Sequence, residues 1–531
     1  MDHAFAAKDK PGHDSDRLIS RLVAAIGPQA VQVSYLERRF FSQDVFRSGV
    51  LPVAVVQPKS VEDVQRCAAL CNEAGAAIIP RGGGLSYTDG YLPDREGAVI
   101  FDLRALDKIV EIRADDMYVT VEAGCTWAAL NEALAPLALR TPYWGPVSGL
   151  QATVGGALSQ NSVFWGAVRH GVVAHNVLGL DLVLADGSVL GVGAHGGPSG
   201  APPFFRHYGP ELTGLFTGDC GALGLKVRAT LPLIKRLPVK GAISFACAMP
   251  DAMLKALSEI GRHQLISESA MFDQGQQEAR VSRPKVPLRR MLQTLLDVAK
   301  SDGPLAAMRV AVHGRSFLAD VSHSLHLILE AETKAELQRQ IGEIKRIVAG
   351  KGGWPIQPTI AQVLSARPFP PPSSTLSDSR FLPVHAIVPH SIAVEVYQRV
   401  LAIFAAHRSE TESLGVRTGV FTVAVGAGTL LIEPTFHWEG AFLEAHARLY
   451  DKDAGGLPNV PANPQAQALV VELRDKICEM FLETGAGHLQ IGKQYPFRRS
   501  RSEATWALLS KFKAIVDKKG VMNPGVLGFD R

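Results

Sequence analysis

Apolar positions recur along this chain with two periods, and the switch between them marks out its elements. Residues 1–16 read as disordered, after which Leu18, Leu22, Val23 and Ile26 follow at helical spacing from Asp16 until Gly27-Pro28 stops them. From Pro52 the order is strand, helix, strand. Ala54-Val55-Val56 is a short apolar run, and Ser60 with Asp63 three residues on marks a helix start. That helix puts Val61, Val64, Ala68 and Cys71 on one face and ends near Gly75. Ala76 to Ile79 reads as a buried strand ended by Pro80. Further strands are expected over 98–103, 109–112 and 118–124, with Thr126 capping a helix through Leu134. Between 177 and 190, two β runs flank Asp186-Gly187, the signature of a tight hairpin. Another β run stops at Pro232. Beyond Pro238, helices over 251–264 and 334–348 alternate with strands such as 325–329, and long loops are expected at 367–374 and 451–464.

The stretch Pro80-Arg81-Gly82-Gly83-Gly84-Leu85-Ser86-Tyr87 sits where the second strand of this series ends. Consecutive glycines permit positive φ and close approach of backbone N–H groups to an anion. Successive N–H groups aimed into one concavity form an anion-binding nest, with Arg81 adding charge at its edge and Ser86 a hydroxyl. A glycine-rich surface turn is the alternative. A second segment, Gly149 to Asn161, again pairs small residues with a threonine and suits close approach to a flat or phosphorylated ligand. A third, Gly221-Ala222-Leu223-Gly224, leads into the strand that stops at Pro232.

Composition narrows the class without naming a reaction. At 531 residues, 47% hydrophobic and 20% charged, the chain reads as a soluble globular protein of more than one domain. A net charge of +4 gives no footprint for nucleic acid. The six cysteines do not read as a disulfide framework, and Cys67 and Cys71 are expected as buried thiols on a helix. No secretory leader or bilayer-spanning run is visible, so a cytoplasmic location is the default. Gly191-Val192-Gly193-Ala194-His195-Gly196 fits a dinucleotide-binding pattern, but the Gly/Pro-rich residues after it cannot open the helix such a turn requires. It is read as a loop.

The glycine loop, the Ala152-Thr153-Val154-Gly155-Gly156 segment, the Asp-Gly hairpin and the Gly221–Gly224 turn occur in one order. Together they resemble the FAD-binding domain of the vanillyl-alcohol oxidase/p-cresol methylhydroxylase superfamily over residues 46–237. Leu212-Thr213-Gly214-Leu215-Phe216 and the closing Asn523-Pro524-Gly525 are similar to the glycolate oxidase and D-lactate dehydrogenase branch. The resemblance implies an α+β fold, with a two-subdomain FAD-binding domain beneath a larger antiparallel-sheet substrate (cap) domain. The division implied is 1–45 helical segment, 46–237 FAD domain, 238–490 cap, and 491–531 returning to the FAD domain. Arg81, Gly82, Gly83, Gly84, Leu85, Ser86 and Tyr87 would hold the FAD pyrophosphate. Thr153, Gly155, Gly156 and Asn161 would line the flavin and ribityl region, and Gly221, Gly224 and Val227 would offer backbone contacts, with Asn523 from the tail. Leu85 stands where relatives with a histidyl-linked flavin carry histidine, so a noncovalent FAD is expected from this loop. The histidine-rich strand and Glu-His-Gly turn of metal-using relatives are replaced by 425–429 and 486–488, so no metal is expected.

In the C-terminal half three polar residues stand out. His488 lies between glycines and is followed by Lys493, which suits a substrate-facing base. His437 lies in a β run and reads either as a hydrogen-bonded core residue or as a catalytic one. Arg417 reads as a carboxylate clamp or a surface ion pair. His385 is the next residue to consider, while His323 and His326 read as solvated. The resemblance implies hydride transfer from a 2-hydroxy acid to FAD. Alternatives are a phenolic or benzylic alcohol, bound near Tyr143, Trp144, Phe164 and Trp165, and an electron-transfer subunit without its own substrate. The partners expected are a small-molecule substrate, an acceptor (oxygen, a quinone or a cytochrome) and, as a candidate assembly, a homodimer.

Overall fold

A computed structural model describes residues 13–198, 200–281, 288–314, 318, 321–371, 379–449, 457 and 459–529. Most of the expected disordered N-terminus and parts of the two long loops lie outside the described residues. The first helix runs His13–Ile26 and so starts three residues before Asp16. Ser60 caps the Val61–Ala74 helix by accepting from the Asp63 amide, and Gly75 closes it in the left-handed conformation. These elements belong to a four-stranded sheet in the order Val31–Gln32, Ala54–Val56, Val99–Asp102, Ile78–Arg81. The last three strands are parallel and the first is antiparallel.

Pro80 does not end its strand, contrary to expectation. It pairs with Phe101, and Arg81 pairs with Asp102, because an edge strand tolerates a proline whose missing N–H would face outward. The C-terminal tail returns to this same strand: Ile78 donates to Val521 O at 2.8 Å and Asn523 donates to Ile78 O at 2.9 Å.

A five-stranded antiparallel sheet follows, in the order Ile109–Arg113, Tyr118–Glu122, Leu225–Pro232, Gly179–Val183, Val189–Gly193. The Asp-Gly hairpin is present, with Val183 opposite Val189. Gly191 to Gly193 are the end of its second strand rather than loop, and a turn follows. His195 anchors that turn, with Nδ1 against Asp181 Oδ1 and Nε2 against Thr230 Oγ1, both at 2.7 Å. The dinucleotide-like glycines thus serve a hairpin end.

The cap is an eight-stranded antiparallel sheet whose centre is Val239–Cys247, His323–Ala331, Glu268–Phe272, Arg417–Val425 and Thr429–Trp438. Period-2 alternation splits its side chains between two destinations. Val420, Ala424, Ile432 and Phe436 enter a large core beneath the helices Pro250–Arg262, Lys334–Ala349, Ala393–Ala406 and Pro464–Glu483. Phe421, Val423 and Leu431 face the other way and pack with Val172, Phe164 and Leu489. The second face meets the FAD-domain side of the molecule. The fold is α+β throughout, as expected.

Candidate active site

The glycine loop divides two cavities. One, of about 520 Å³, is lined by Phe40, Gln57, Arg104, Gln151 and Arg448 among others. The second, of about 130 Å³, is lined by Pro80, Tyr91, Ser159, Lys226 and Gln490 among others. Arg81, Gly83, Gly84 and Thr153 border both. The amides of Gly82, Gly83, Gly84, Leu85 and Ser86 donate to no acceptor among the described residues. A run of unspent N–H groups beside a cavity is the donor set a pyrophosphate takes up.

The reasons for the glycines differ from the expected one. Gly84 has φ +71°, but at Gly83 the demand is space, since a Cβ there would lie 2.2 Å from Gln151 O. At Gly82 it would lie 2.5 Å from Thr153 Oγ1, so the loop and the 149–161 segment are in direct apposition. Thr153 in turn caps the Val154–Gln160 helix, its Oγ1 accepting from the Gly156 amide at 3.1 Å. Gly155 sits where a Cβ would meet Ala123 at 2.6 Å.

Several expected cofactor residues act from behind the cavity wall. Arg81 is buried, and its Nη1 donates to the carbonyls of Phe41 (2.8 Å) and Gln43 (2.6 Å). Its charge is stacked among Phe40, Phe41 and Tyr91 instead of forking into open space. Asn523 is fully buried and its Nδ2 donates to Gly90 O (2.8 Å) and Cys220 O (2.6 Å), joining the first and third motifs. Asn161 is the left-handed cap of its helix, with Oδ1 accepting from Ala174. Val227 is buried and its carbonyl accepts from Ala123. Tyr87 points toward the cap, 5.6 Å from the Phe381 ring in an edge-on contact. Leu85, Ser86, Gly221 and Gly224 do line the smaller cavity.

Sequence reasoning missed Asp219 and Lys226. Asp219 accepts from the amides of Gly221 (3.0 Å) and Leu223 (3.3 Å) and pairs with Lys226 at 2.5 Å, fixing the third motif. A buried charge pair of this kind is held by its several hydrogen bonds. The alternation Lys226, Arg228 on the strand gave the only hint, and it could not show which cation turns inward.

On the cap, the face turned to the FAD domain carries a row of polar groups. His437 lies directly opposite Arg417, Thr435 opposite Gly419, and Glu433 opposite Phe421. His437 is buried and its ring lies 4.9 Å from that of Phe381, while Arg417 is exposed at the rim. His385 sits 3.3 Å from Glu433 through Nε2, and its backbone N–H donates to Tyr495 Oη at 2.6 Å.

His488 stands elsewhere. Its ring stacks on Tyr495 at 4.2 Å and lies near Phe481, a residue of the cap core. Its Nδ1 donates to His385 O at 2.8 Å, and burial pushes its pKa down. It lines neither cavity, so the expectation of a substrate-facing base there is corrected to a packing role; the glycines beside it serve a bridge of Gly487 to Ile387. His326 is also corrected: it is buried, held between Ser244 Oγ (2.8 Å) and Ser324 Oγ (2.9 Å). His323 is partly buried. Tyr143 and Trp165 are core residues rather than pocket walls, with Tyr143 donating to Ser162 at 3.0 Å.

Between the two domains lies Glu268. Its Oε1 accepts from the Gly166 amide (2.7 Å) and from Trp144 Nε1 (3.3 Å), and burial pushes its pKa up to about 8. Near it, Arg140 pairs with Glu330 at 2.7 Å.

Residues 52–193 match the family described as FAD binding domain. The chain is 34% identical over 239 residues to a probable mitochondrial D-lactate dehydrogenase of Danio rerio, covering 44% of this chain and 46% of that protein. It is 27% identical over 255 residues to the glycolate oxidase subunit GlcD of Bacillus subtilis, covering 48% and 52%. The chain thus spans about half the length of these curated relatives. In fold it is similar to substrate-bound p-cresol methylhydroxylase, with a TM-score of 0.75 and 17% identity, covering 98% of both chains. It is also similar to the 4-ethylphenol oxidase of Gulosibacter chungangensis, with a TM-score of 0.70 and 18% identity, again covering 98% of each. Cradle, sheets and relatives agree on one cofactor, FAD, and the chain is an FAD-linked member of the vanillyl-alcohol oxidase/p-cresol methylhydroxylase superfamily, grouping by sequence with the glycolate oxidase and D-lactate dehydrogenase branch.

Proposed function

We propose that this protein is a flavin-dependent oxidoreductase that oxidises the CH–OH carbon of a 2-hydroxy acid. The observation that carries the reading is the cross-strand pair Arg417–His437 on the cap face turned toward the FAD domain. Directly opposed residues on one sheet face hold their Cβ atoms about 4.5–5.5 Å apart, within reach of one small ligand. Arg417, exposed at the rim, takes the carboxylate in the two-pronged geometry a guanidinium favours. His437, buried behind it, accepts the hydroxyl proton, a task that suits an imidazole near neutral pH.

The amides of 82–86, Thr153 and the turn held by Asp219 would hold FAD, which when bound supplies a two-electron acceptor for the hydride leaving the substrate carbon. The residues of this chain then do three things. Arg417 fixes the acid, His437 receives the O–H proton as the C=O bond forms, and Phe421 with Phe164 excludes water from the cleft between the domains. Glu433, steadied by His385, lies two alternations further along the same face as a second carboxylate-bearing position. No histidine lines either cavity, which supports a noncovalent flavin.

A second reading, a phenolic or benzylic alcohol, is favoured by the stacked rings of Phe164, Phe421 and Phe272, at 6.0 and 5.5 Å. Anaerobic mixing of the yellow protein with glycolate, both lactates and a set of aromatic alcohols separates the two. Bleaching by a hydroxy acid supports the first reading; bleaching by aromatic alcohols alone replaces it with the second. A flavin that no substrate reduces, yet a redox partner does, would assign the chain to electron transfer instead. Acid precipitation should leave the flavin in the supernatant.

A further inference from the structure

Two helices of the cap, Leu288–Asp302 and Pro304–His313, form a hairpin that covers no core of its own. Their inner side is modest. Val298 and Ala306 are buried, Thr294 Oγ1 accepts from Arg367 Nη1 at 2.7 Å, and Asp297 pairs with Arg367 Nε at 3.3 Å. The outer side is the largest display of exposed aliphatic side chains in the described structure. Leu288, Leu292, Leu296, Leu305, Met308 and Val312 are 66%, 51%, 61%, 71%, 60% and 71% exposed. These fall at spacings of three and four residues on each helix, so they make two stripes rather than a scatter. Scattered surface leucines need no explanation, whereas a contiguous patch marks an interaction surface.

The charges around the stripes select the partner. Arg289, Lys300 and Arg309 are exposed on the same two helices, and the acidic residue nearest the middle, Asp297, is already engaged by Arg367. The opposite side of the cap sheet is different. There the helices Ala393–Ala406 and Pro464–Glu483 present Glu472, Asp475, Glu479 and Glu483 along one groove. A cap with a cationic apolar side and an acidic side is oriented by a negative surface, the first side attracted and the second repelled. A second copy of the chain fits less well, because a two-fold contact would set Arg289 and Arg309 against their own equivalents.

We infer that this hairpin is a docking surface for an anionic lipid bilayer, lying in the interface with its aliphatic stripes among the acyl chains and its cations at the headgroups. No helix of the described chain is long and apolar enough to cross a membrane, so the attachment is peripheral. The hairpin is one segment from the cofactor site. Arg367 continues into Pro368, whose carbonyl accepts from Trp165 Nε1 at 2.9 Å, and Phe369, whose ring would meet a Cβ at Gly149 at 2.4 Å. Pro146 and Ser148 beside it line the smaller cavity. The inference stands apart from the identity of the oxidised substrate.

The test is flotation of the FAD-loaded full chain with vesicles of phosphatidylcholine containing increasing phosphatidylglycerol, at low salt. Binding should rise with phosphatidylglycerol and fall as salt is added. A Leu292→Glu/Leu305→Glu variant should lose at least ~10-fold in partitioning, and Arg289→Glu/Arg309→Glu a comparable amount on anionic vesicles only. All these residues are exposed, so flavin content and circular dichroism should match the parent and certify the fold. Failure of the parent to float with anionic vesicles overturns the proposal, as does unchanged flotation of the leucine variant. Sedimentation showing a lipid-free dimer that the leucine variant dissolves would assign the face to a second copy and also overturn it.

Discussion

The FAD domain and the cap face each other across one cleft, yet they build their contributions in different ways. In the FAD domain the recognition elements are backbone: unspent amides from 82 to 86, held by neighbours that reach them through glycine-sized gaps. In the cap they are side chains on alternate positions of one strand pair, such as Arg417, His437 and Glu433. A backbone site constrains sequence tightly, because each approach excludes a Cβ. A side-chain site on a sheet constrains only which face a residue points to, so any polar residue can be exchanged without disturbing the fold. The cradle is therefore a matter of space, and the chemistry a matter of which residues stand on the open face.

The sharpest way to break the contrast is Gly83→Val. Its Cβ would sit 2.2 Å from Gln151 O, backbone that cannot swing aside, so the folded variant should purify without FAD. Normal flavin content measured after denaturation would show that the loop is not the cradle. His437→Ala comes next: it should keep its FAD and slow anaerobic flavin reduction by ~10²–10⁴-fold, the usual worth of a positioned base. His488→Ala, made alongside, should lower thermal stability and leave that rate near the parent's, since its ring is packed on Tyr495. The reverse ranking would return catalysis to His488.

A third test lies at the seam between the domains. The Glu268 carboxyl has its pKa raised to about 8 by burial, so the folded protein keeps a proton the unfolded chain gives up near its ordinary value of 4.5. Its contribution is therefore fully present below pH 4.5 and is lost as pH rises through 8. On the order of 4 kcal/mol is at stake across that window. Glu268→Gln, which retains an acceptor for Gly166 and Trp144, should flatten that part of the stability profile in denaturant titrations. A variant profile parallel to the parent's would mean that the group titrates normally. The smallest effect is expected at the rim. Arg417→Met should weaken binding of the hydroxy acid by ~10–100-fold, the worth of a charge-assisted hydrogen-bonded pair, while flavin reduction at saturation changes little. An unchanged dependence on substrate concentration would make Arg417 a bystander.

The same contrast explains what could be read in advance. Ser60, Thr126, the Asp186-Gly187 hairpin and the glycine motifs are local signals, and the helix starts, strands and cradle follow from them. Pro80 misled because its tolerance depends on an edge position, which only the sheet order shows. Asp219 and Lys226 were missed for a related reason: burial of a charged pair is a tertiary fact. The cap histidines were the least legible. His326, His437 and His488 sit in similarly apolar surroundings in the sequence, but one is clasped by two serines, one faces the cleft and one stacks in the core. The turn at 485–488 imitated an open site because its glycines accommodate a β bridge.

The returning tail sets a timetable for the protein's manufacture. Asn523 ties Gly90 to Cys220, and 433 residues separate it from the first of these. At ribosomal speeds of about 5–20 residues per second, a newly made glycine loop waits on the order of half a minute or more before its latch exists. Through that interval the nascent chain has the loop but not the strap of 521–523 that clamps its strand, so stable capture of the flavin falls after synthesis ends. Chains that terminate early are thereby left colourless.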